Sequence, residues 1–463
     1  MPTPVADPTV PLAPYLASFA ALFGDRRTRA TFAAIIYGIL TAGSLRTARI
    51  TAHAPALASL RDDGRRVRRF VRGESTARST LSPAALVAAL RERGVATLQT
   101  LPPAQELWLV FDGSDLRKPA ATTLPHLMKV RALDGHLVPG YRTLNVIGVT
   151  PHRRTLLYHR LFSSTAPDFT SEPREVQAAL TTVGAAVTPA VAPHLVTWLM
   201  DSGFDDVAVW RTIWEHDQHF VCRAAHLDRH VRYQTRAGRW QVAQLRAALP
   251  HLRGQAQVET VLSVRLTGQR AAKRQPVTVC LASLPLEVPY DPNVRRPGGA
   301  VGPRWQRMWL VVVRIVDCPG DPWYLLTDRR VSTPAEAQQV FQMYRQRWAV
   351  EDAFAFLKTC VGWEEVQVLD LEGIRMLVAL GWVAAGYLYE IDGSWEWAEV
   401  ELLARLGGWV PHKDRQPGKQ VLAWGLARVL DWLVMGALLA QARAAPGGLP
   451  PGIAALLGEE PDG

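Results

Sequence analysis

Four polar residues in the C-terminal half of the chain recur at offsets of three, seven and fourteen: Tyr344, Arg347, Glu351 and Lys358. On an α-helix the successive steps of three, four and seven turn about 300°, 400° and 700°, so all four side chains project within one sector. A carboxylate flanked by two cations and a phenol suits a bound metal ion beside a phosphate. The same stripe also fits a solvated helix face laced by i,i+4 ion pairs. The helix is well started. In Thr333-Pro334-Ala335-Glu336 the Thr can cap, the Pro occupies the first turn and the Glu can reach back. That start predicts one helix with the four residues well inside it.

Two further acids stand where a charge is costly. Asp112 closes the apolar run Leu107-Trp108-Leu109-Val110-Phe111, and Asp201 closes Leu195-Val196-Thr197-Trp198-Leu199-Met200. Continuous apolar runs of this length read as strands buried on both faces. An acid at the end of such a strand needs a partner or a metal, or else forms the following turn. Phosphodiester chemistry needs a strong nucleophile, a stabilised leaving group and charge neutralisation, which a pair of divalent cations supplies. Mg²⁺ is a hard cation that takes oxygen ligands, so carboxylates from several elements must converge. Asp115, Asp205, Asp206 and Asp352 lie beside the three acids and are expected to support them or face solvent. Asp352 in particular points about 100° away from Glu351 round the helix.

These elements sit in a chain of 463 residues with a formal net charge of +10. That length allows several domains, and the charge calls for a polyanionic partner: DNA, RNA or an acidic membrane surface. Six arginines fall within residues 61–72, with Phe70 among them, in an otherwise helical N-terminal region. Arg65, Arg66, Arg68 and Arg69 are the candidate duplex contacts, although the cluster also fits a solvated surface. The four cysteines are scattered without a C-x2-C pair, which argues against a zinc ribbon or a disulfide framework and fits a reducing cytosol. No secretory leader is evident. The apolar stretch 374–391 carries Arg375 and reads as a buried helix rather than a membrane span.

From residue 106 the pattern changes from helical to strand-like. Its order is three strands, a helix near 172–183, a strand at 194–201, a helix near 205–216 and a strand at 219–225. Residues 227–321 then read as β-rich, with strands at 257–266, 276–284 and 308–316 and a Pro/Gly/Arg-rich loop at 291–304. Apolar helical periodicity resumes at 374–389, 395–406 and 421–444, and residues 458–463 read as a loose tail.

The three acids and their neighbours together resemble the Asp-Asp-Glu (DDE) transposases of bacterial insertion sequences. The group concerned carries a Y-x2-R-x3-E-x6-K signature and a β-rich insertion before its Glu. Phe111-Asp112-Gly113-Ser114 matches the group's first Asp, Asp201-Ser202-Gly203-Phe204 its D-x-G-[FY] second Asp, and Glu351 its Glu. Asp201 and Glu351 are 150 residues apart, against 89 between Asp112 and Asp201, as an insertion before the Glu helix requires. Trp323-Tyr324-Leu325-Leu326-Thr327 matches a W-x-L-L-T run whose Trp, in some relatives, stacks on a displaced base. A structural Trp is the alternative for a chain with 16 of them.

The resemblance implies an α/β ribonuclease-H-like catalytic core with a β-rich insertion, flanked by helical regions. The expected division is 1–104 helical and DNA-binding, 105–226 first part of the core, 227–322 insertion, 323–372 second part with the Glu helix, and 373–463 helical. It implies a transposase that binds terminal inverted repeats, cleaves the element ends and joins the 3′-OH to target DNA. Asp112, Asp201 and Glu351 would hold Mg²⁺, with Mn²⁺ as a substitute. Tyr344, Arg347, Lys358 and Trp323 would contact double-stranded DNA. A dimer would bring two ends together in a bacterial cytoplasm, beside the nucleoid. A non-transposing nuclease on the same fold and a catalytically inactive DNA-binding regulator are the rival expectations.

Overall fold

The computed structural model describes residues 9–54, 57, 64–74, 80–132, 134–267, 271–295, 301–411, 416–445 and 448–458. Arg61 of the arginine cluster, the centre of the 291–304 loop and the tail beyond 458 lie outside these residues.

The N-terminal region is helical: α1 (Ala13–Leu16), α2 (Arg26–Ala42), α3 (Thr47–His53), α4 (Arg65–Val71) and α5 (Pro83–Leu98). Asp25 caps α2 through the Thr28 N–H, and Ser82 caps α5 through the Ala85 N–H with Pro83 in the first turn. The sheet then begins with β1 (Leu107–Arg117), β2 (Met128–Arg131), β3 (Leu137–Val149) and β4 (Arg154–Phe162). It continues through α6 (Glu172–Val187), β5 (Val196–Met200), α7 (Val207–Trp214) and β6 (His219–Arg223). This is the expected alternation with one short extra strand, β2. In space the order is β2-β3-β1-β5-β6, with β4 also on β3. The strands β1, β5 and β6 are mutually parallel, and β3 runs against β1.

The β-rich region comprises β7 (His230–Gln234), β8 (Trp240–Gln244), the single turn α8 (Leu245–Ala248), β9 (Arg253–Val264), β10 (Lys273–Arg295) and β11 (Val301–Ile315), followed by β12 (Trp323–Thr327). It forms no separate sheet. β12 pairs with β6 on one side and β11 on the other, so the order runs on as β6-β12-β11-β10-β7-β8. The 291–304 segment, expected as a loop, carries the β10–β11 ladder out to Arg295 opposite Val301, past register shifts after Pro289 and Asp291. Long-range pairing carries the ladder past Pro289.

The C-terminal part is helical: α9 (Pro334–Arg345), α10 (Trp348–Cys360), α11 (Leu371–Ser394), α12 (Trp397–Leu406), α13 (Lys419–Ala444) and α14 (Pro451–Leu456). The sheet divides the apolar residues by strand parity. Leu107, Leu109 and Phe111 pack on the α6/α7 face, while Val110, Leu199 and Val221 pack on the face covered by α9, α10 and α11. The N-terminal helices join that second core across residue 104. Tyr15 Oη donates to the Val383 carbonyl at 2.6 Å and Tyr37 Oη to the Leu430 carbonyl at 3.1 Å. α11, the stretch whose membrane alternative the sequence raised, is 89% buried inside the protein over its most apolar window. α13 is also long and apolar, but only 28% of its window is buried, with Trp424, Trp432 and Met435 exposed.

Candidate active site

The site starts from the register of two parallel strands. β1 and β5 pair from Leu107 opposite Val196 to Phe111 opposite Met200, and there β5 ends. Asp112 and Asp201 are the next residues on each strand. Asp112 has the parity of Val110, and Asp201 that of Leu199, so both belong to the face that α10 covers. Asp112 does not close its strand, as the sequence suggested. β1 runs on to Arg117 because β3 keeps pairing with it, with Asp112 opposite Asn145.

Short-range contacts fix each aspartate. The Gly113 N–H donates to Asp112 Oδ1 at 2.8 Å. Asp201 Oδ1 accepts the Gly203 N–H at 2.8 Å and so caps the short turn 202–204. A side chain at 203 would put its Cβ 3.1 Å from Asp201 Oδ1, which gives the glycine of Asp-Ser-Gly-Phe a physical reason. Behind Asp112 a buried relay braces β1. His159 Nδ1 lies 2.7 Å from Asn145 Oδ1, Asn145 Nδ2 donates to Thr143 Oγ1 at 3.0 Å, and Thr143 Oγ1 donates to the Ser114 carbonyl at 3.0 Å. Burial, with Arg160 nearby, pushes the His159 imidazole down to about 3, so it is neutral there.

The signature residues do not share one helix. α9 keeps the predicted capping box at Thr333 and Glu336 but ends at Arg345, and α10 starts at Trp348. Across the break the backbone switches to i→i−3 closure: Gln346 N–H to Met343, Arg347 N–H to Tyr344, Ala349 N–H to Gln346 and Val350 N–H to Arg347. The break leaves Tyr344 in the last turn of α9, with Arg347 at the N-cap of α10 and Glu351 and Lys358 within it. The Tyr344 ring is buried between Trp323, at 6.0 Å, and the Arg347 guanidinium, at 5.9 Å, and burial pushes its phenol up to about 12. Tyr344, expected to contact DNA, is thus a largely buried side chain.

Arg347 shows the largest departure from expectation. It does not project toward solvent. Nη1 donates to Asp112 Oδ2 at 3.0 Å and Nη2 to Glu351 Oε1 at 2.6 Å, with the side chain only 14% exposed. Its Nε is buried without a hydrogen-bond partner. Glu351 sits in the first turn of α10 and is half exposed. Burial raises the Asp112 carboxyl to about 7, followed by the neighbouring negative charge of Asp201. Arg347 and the Gly113 N–H oppose the rise, and Glu351 adds to it. The three acids thus share one electrostatic site. Among the described residues no three carboxylate, imidazole or thiolate groups close on a point as a ready-made cage. The donor set nevertheless fits hard divalent cations. It is all oxygen, Asp112 and Glu351 already hold a cation between them, and the charge on Asp112 remains under-compensated.

Asp112 and Asp201 open into a cleft of about 660 Å³, which Lys358 also lines. Lys358 faces Glu364 at 3.9 Å, and burial lowers its ammonium. Arg117, Arg131 and Arg142 line the same cleft and escape the sequence reading. None belongs to a motif, and only the β2–β3–β1 pairing brings them to the acids. Of the neighbouring acids, Asp205 is buried and accepts the Ala225 and His226 N–H groups and Arg229, a structural role. Asp115 accepts the Arg131 N–H, and Asp352 faces Arg154 at 3.5 Å.

Trp323, expected against a displaced base, stands half-buried in an aromatic cluster. Phe341, Tyr344 and Trp348 lie with ring centroids 6.2, 6.0 and 5.9 Å away. Trp323 opens β12, and its ring packs against the last turns of α9 and the first residue of α10. Arg65, Arg66, Arg68 and Arg69 lie on α4, which buries Val67, Phe70 and Val71 against the protein. Arg66 donates to Thr31 Oγ1 at 3.3 Å, and Arg69 lies 3.7 Å from Glu74.

No curated protein matches this chain. Among solved structures, the piggyBac transposase synaptic complex with hairpin DNA, seen by cryo-EM, is similar at a TM-score of 0.37 and 11% identity, over 94% of this chain and 77% of that one. So distant a likeness bears on neither fold nor function. Residues 174–385 match the family model described as the transposase DDE domain, a span that holds Asp201, the β-rich region and Glu351, and this match supports a transposase of the Asp-Asp-Glu class.

Proposed function

We propose that this protein is a DNA transposase of the Asp-Asp-Glu class, built on a ribonuclease-H-like core, and that Asp112, Asp201 and Glu351 form its catalytic centre. One observation carries the reading: two aspartates each stand just past the last residue pair of β1 and β5, and the first of them, Asp112, is joined to the helix-borne Glu351 through Arg347. The β4-β3-β1-β5-β6 order, with β3 antiparallel to three parallel strands, supports the ribonuclease-H-like assignment. The matched transposase span supports the reaction class.

Asp112, Asp201 and Glu351 would hold divalent cations, Mg²⁺ or Mn²⁺ in its place. When bound, the cations activate the attacking oxygen and neutralise the departing one. The protein's own groups do the rest. The neutral His159 relay holds β1 still beside Asp112. Lys358 presents a point charge at the cleft where a DNA phosphate would lie, and Arg347 offers a fork of donors nearby. The arginines of α4 add a duplex contact away from the acids. In this reading the chain binds terminal inverted repeats, cuts the element's ends and joins the freed 3′-OH to target DNA. Two copies hold two ends in the bacterial cytoplasm, beside the nucleoid.

The test is an in vitro reaction with DNA carrying the flanking element's ends, a target plasmid and Mg²⁺. The proposal expects element 3′-ends covalently joined to target. Cleaved ends that never join would make the chain a nuclease. Binding with neither product would make it an inactive regulator.

A further inference from the structure

Arg347 is committed to two carboxylates that the reaction needs. Its guanidinium spans Asp112 and Glu351 with one nitrogen on each, and it is mostly buried. The span is enforced from three sides. The 3₁₀-like closure at 346–350 sets the residue at the joint between α9 and α10, and the Tyr344 ring lies beside the guanidinium. Burial of Nε leaves that edge with no alternative acceptor. A planar fork between two carboxylates is a strong, directional counter-ion. A divalent cation entering between the same acids would compete for the same oxygens and repel the guanidinium at close range.

We infer that Arg347 is the residue that sets the divalent-cation affinity of this centre. It is an internal counter-ion that a cation must displace, and once displaced it is released toward a DNA phosphate. Metal loading and DNA-end binding would then reinforce each other through one side chain, reciprocally. The inference rests on the metal-dependent reading of Asp112, Asp201 and Glu351 proposed above. Lys358 cannot play this part, because its ammonium faces Glu364 rather than the three acids.

The experiment is calorimetric titration of Mn²⁺ into the DNA-free full chain, for wild type, Arg347→Gln, Arg347→Lys, Lys358→Gln and Asp201→Asn, each with a native melting transition. With the repelling guanidinium gone, Arg347→Gln is expected to bind Mn²⁺ at least about tenfold tighter than wild type. Arg347→Lys, which keeps the charge but loses the fork, should fall between them, and Lys358→Gln should change little. A second titration follows element-end DNA binding with and without Ca²⁺. The gain that Ca²⁺ gives wild type should shrink in Arg347→Gln. Unchanged or weaker Mn²⁺ binding by Arg347→Gln, or an equal rise in Lys358→Gln, would overturn the inference. Should Arg347→Gln fail to fold, Arg347→Lys decides it alone: affinity equal to wild type overturns it. Asp201→Asn separates the two readings, since Mn²⁺ binding as tight as wild type would place the metal elsewhere and sink the proposed centre itself.

Discussion

Phe111 and Met200 are the last residues that β1 and β5 pair in parallel, and each is followed at once by an aspartate on the face covered by α10. Asp112 and Asp201 are thereby set side by side by strand register alone, 89 residues apart in sequence. The cost of that placement shows on Asp112, whose carboxyl is raised to about 7 first by burial and then by Asp201.

That rise has a consequence for stability. A carboxyl whose folded pKa lies above its unfolded value of 3.8 binds more protons in the folded state. Its contribution is present below about pH 4 and is lost as pH climbs through about 7. In chelator, without divalent ions, the protein should lose about 2–4 kcal/mol of stability from this group between pH 4 and 8. Asp112→Asn should flatten that segment of the profile. The check is denaturant unfolding of both proteins across this range. Parallel profiles would show that Asp112 titrates normally.

The α4 arginines make a separate prediction. Because Val67, Phe70 and Val71 anchor the helix, replacing Arg65, Arg66, Arg68 and Arg69 by Gln should leave the fold intact. DNA binding should weaken at all sequences. The log–log salt slope should fall by up to about one unit per lost phosphate contact. A gel-shift titration across salt concentrations measures it, and an unchanged slope would make the cluster ordinary surface.

Trp323 is expected to act through packing. With three ring neighbours and a half-buried side chain, Trp323→Ala should cost about 2–4 kcal/mol and lower all reaction steps together. Trp323→Phe should recover most of the loss. Thermal unfolding beside first-strand nicking and double-strand release decides the matter. A stable Trp323→Ala that nicks normally yet fails at release would restore the base-stacking role.

The sequence carries the site's acids more clearly than their surroundings. Asp112 and Asp201 are visible because a charge ending an apolar run is costly and therefore informative. Glu351 is visible through its spacing from Tyr344, Arg347 and Lys358, and the Thr333 cap through its local chemistry. The break at Gln346-Arg347 is not visible. Neither residue is a Gly or Pro, and the switch to i→i−3 bonds answers to packing against β1 and Trp323 rather than to local preference. For the same reason the destination of Arg347 cannot be read from the helix pattern. Arg117, Arg131 and Arg142 reach the cleft only through strand pairing, and pairing is long-range information. The extension of the sheet through β12, β11 and β10 is hidden likewise, since β6 and β12 meet across about a hundred intervening residues.

The measurement closest to the central claim compares wild type with Asp112→Ala, Asp201→Ala and Glu351→Ala on DNA bearing the element's end. Each variant should bind the end about as wild type does and melt as a native protein. Each should cleave in Mg²⁺ at least roughly 10³-fold more slowly, about 4 kcal/mol on the barrier. Wild type should cleave in Mg²⁺ and stop in chelator. Substantial Mg²⁺-dependent cleavage by any one of the three variants would remove that carboxylate from the centre and contradict the account.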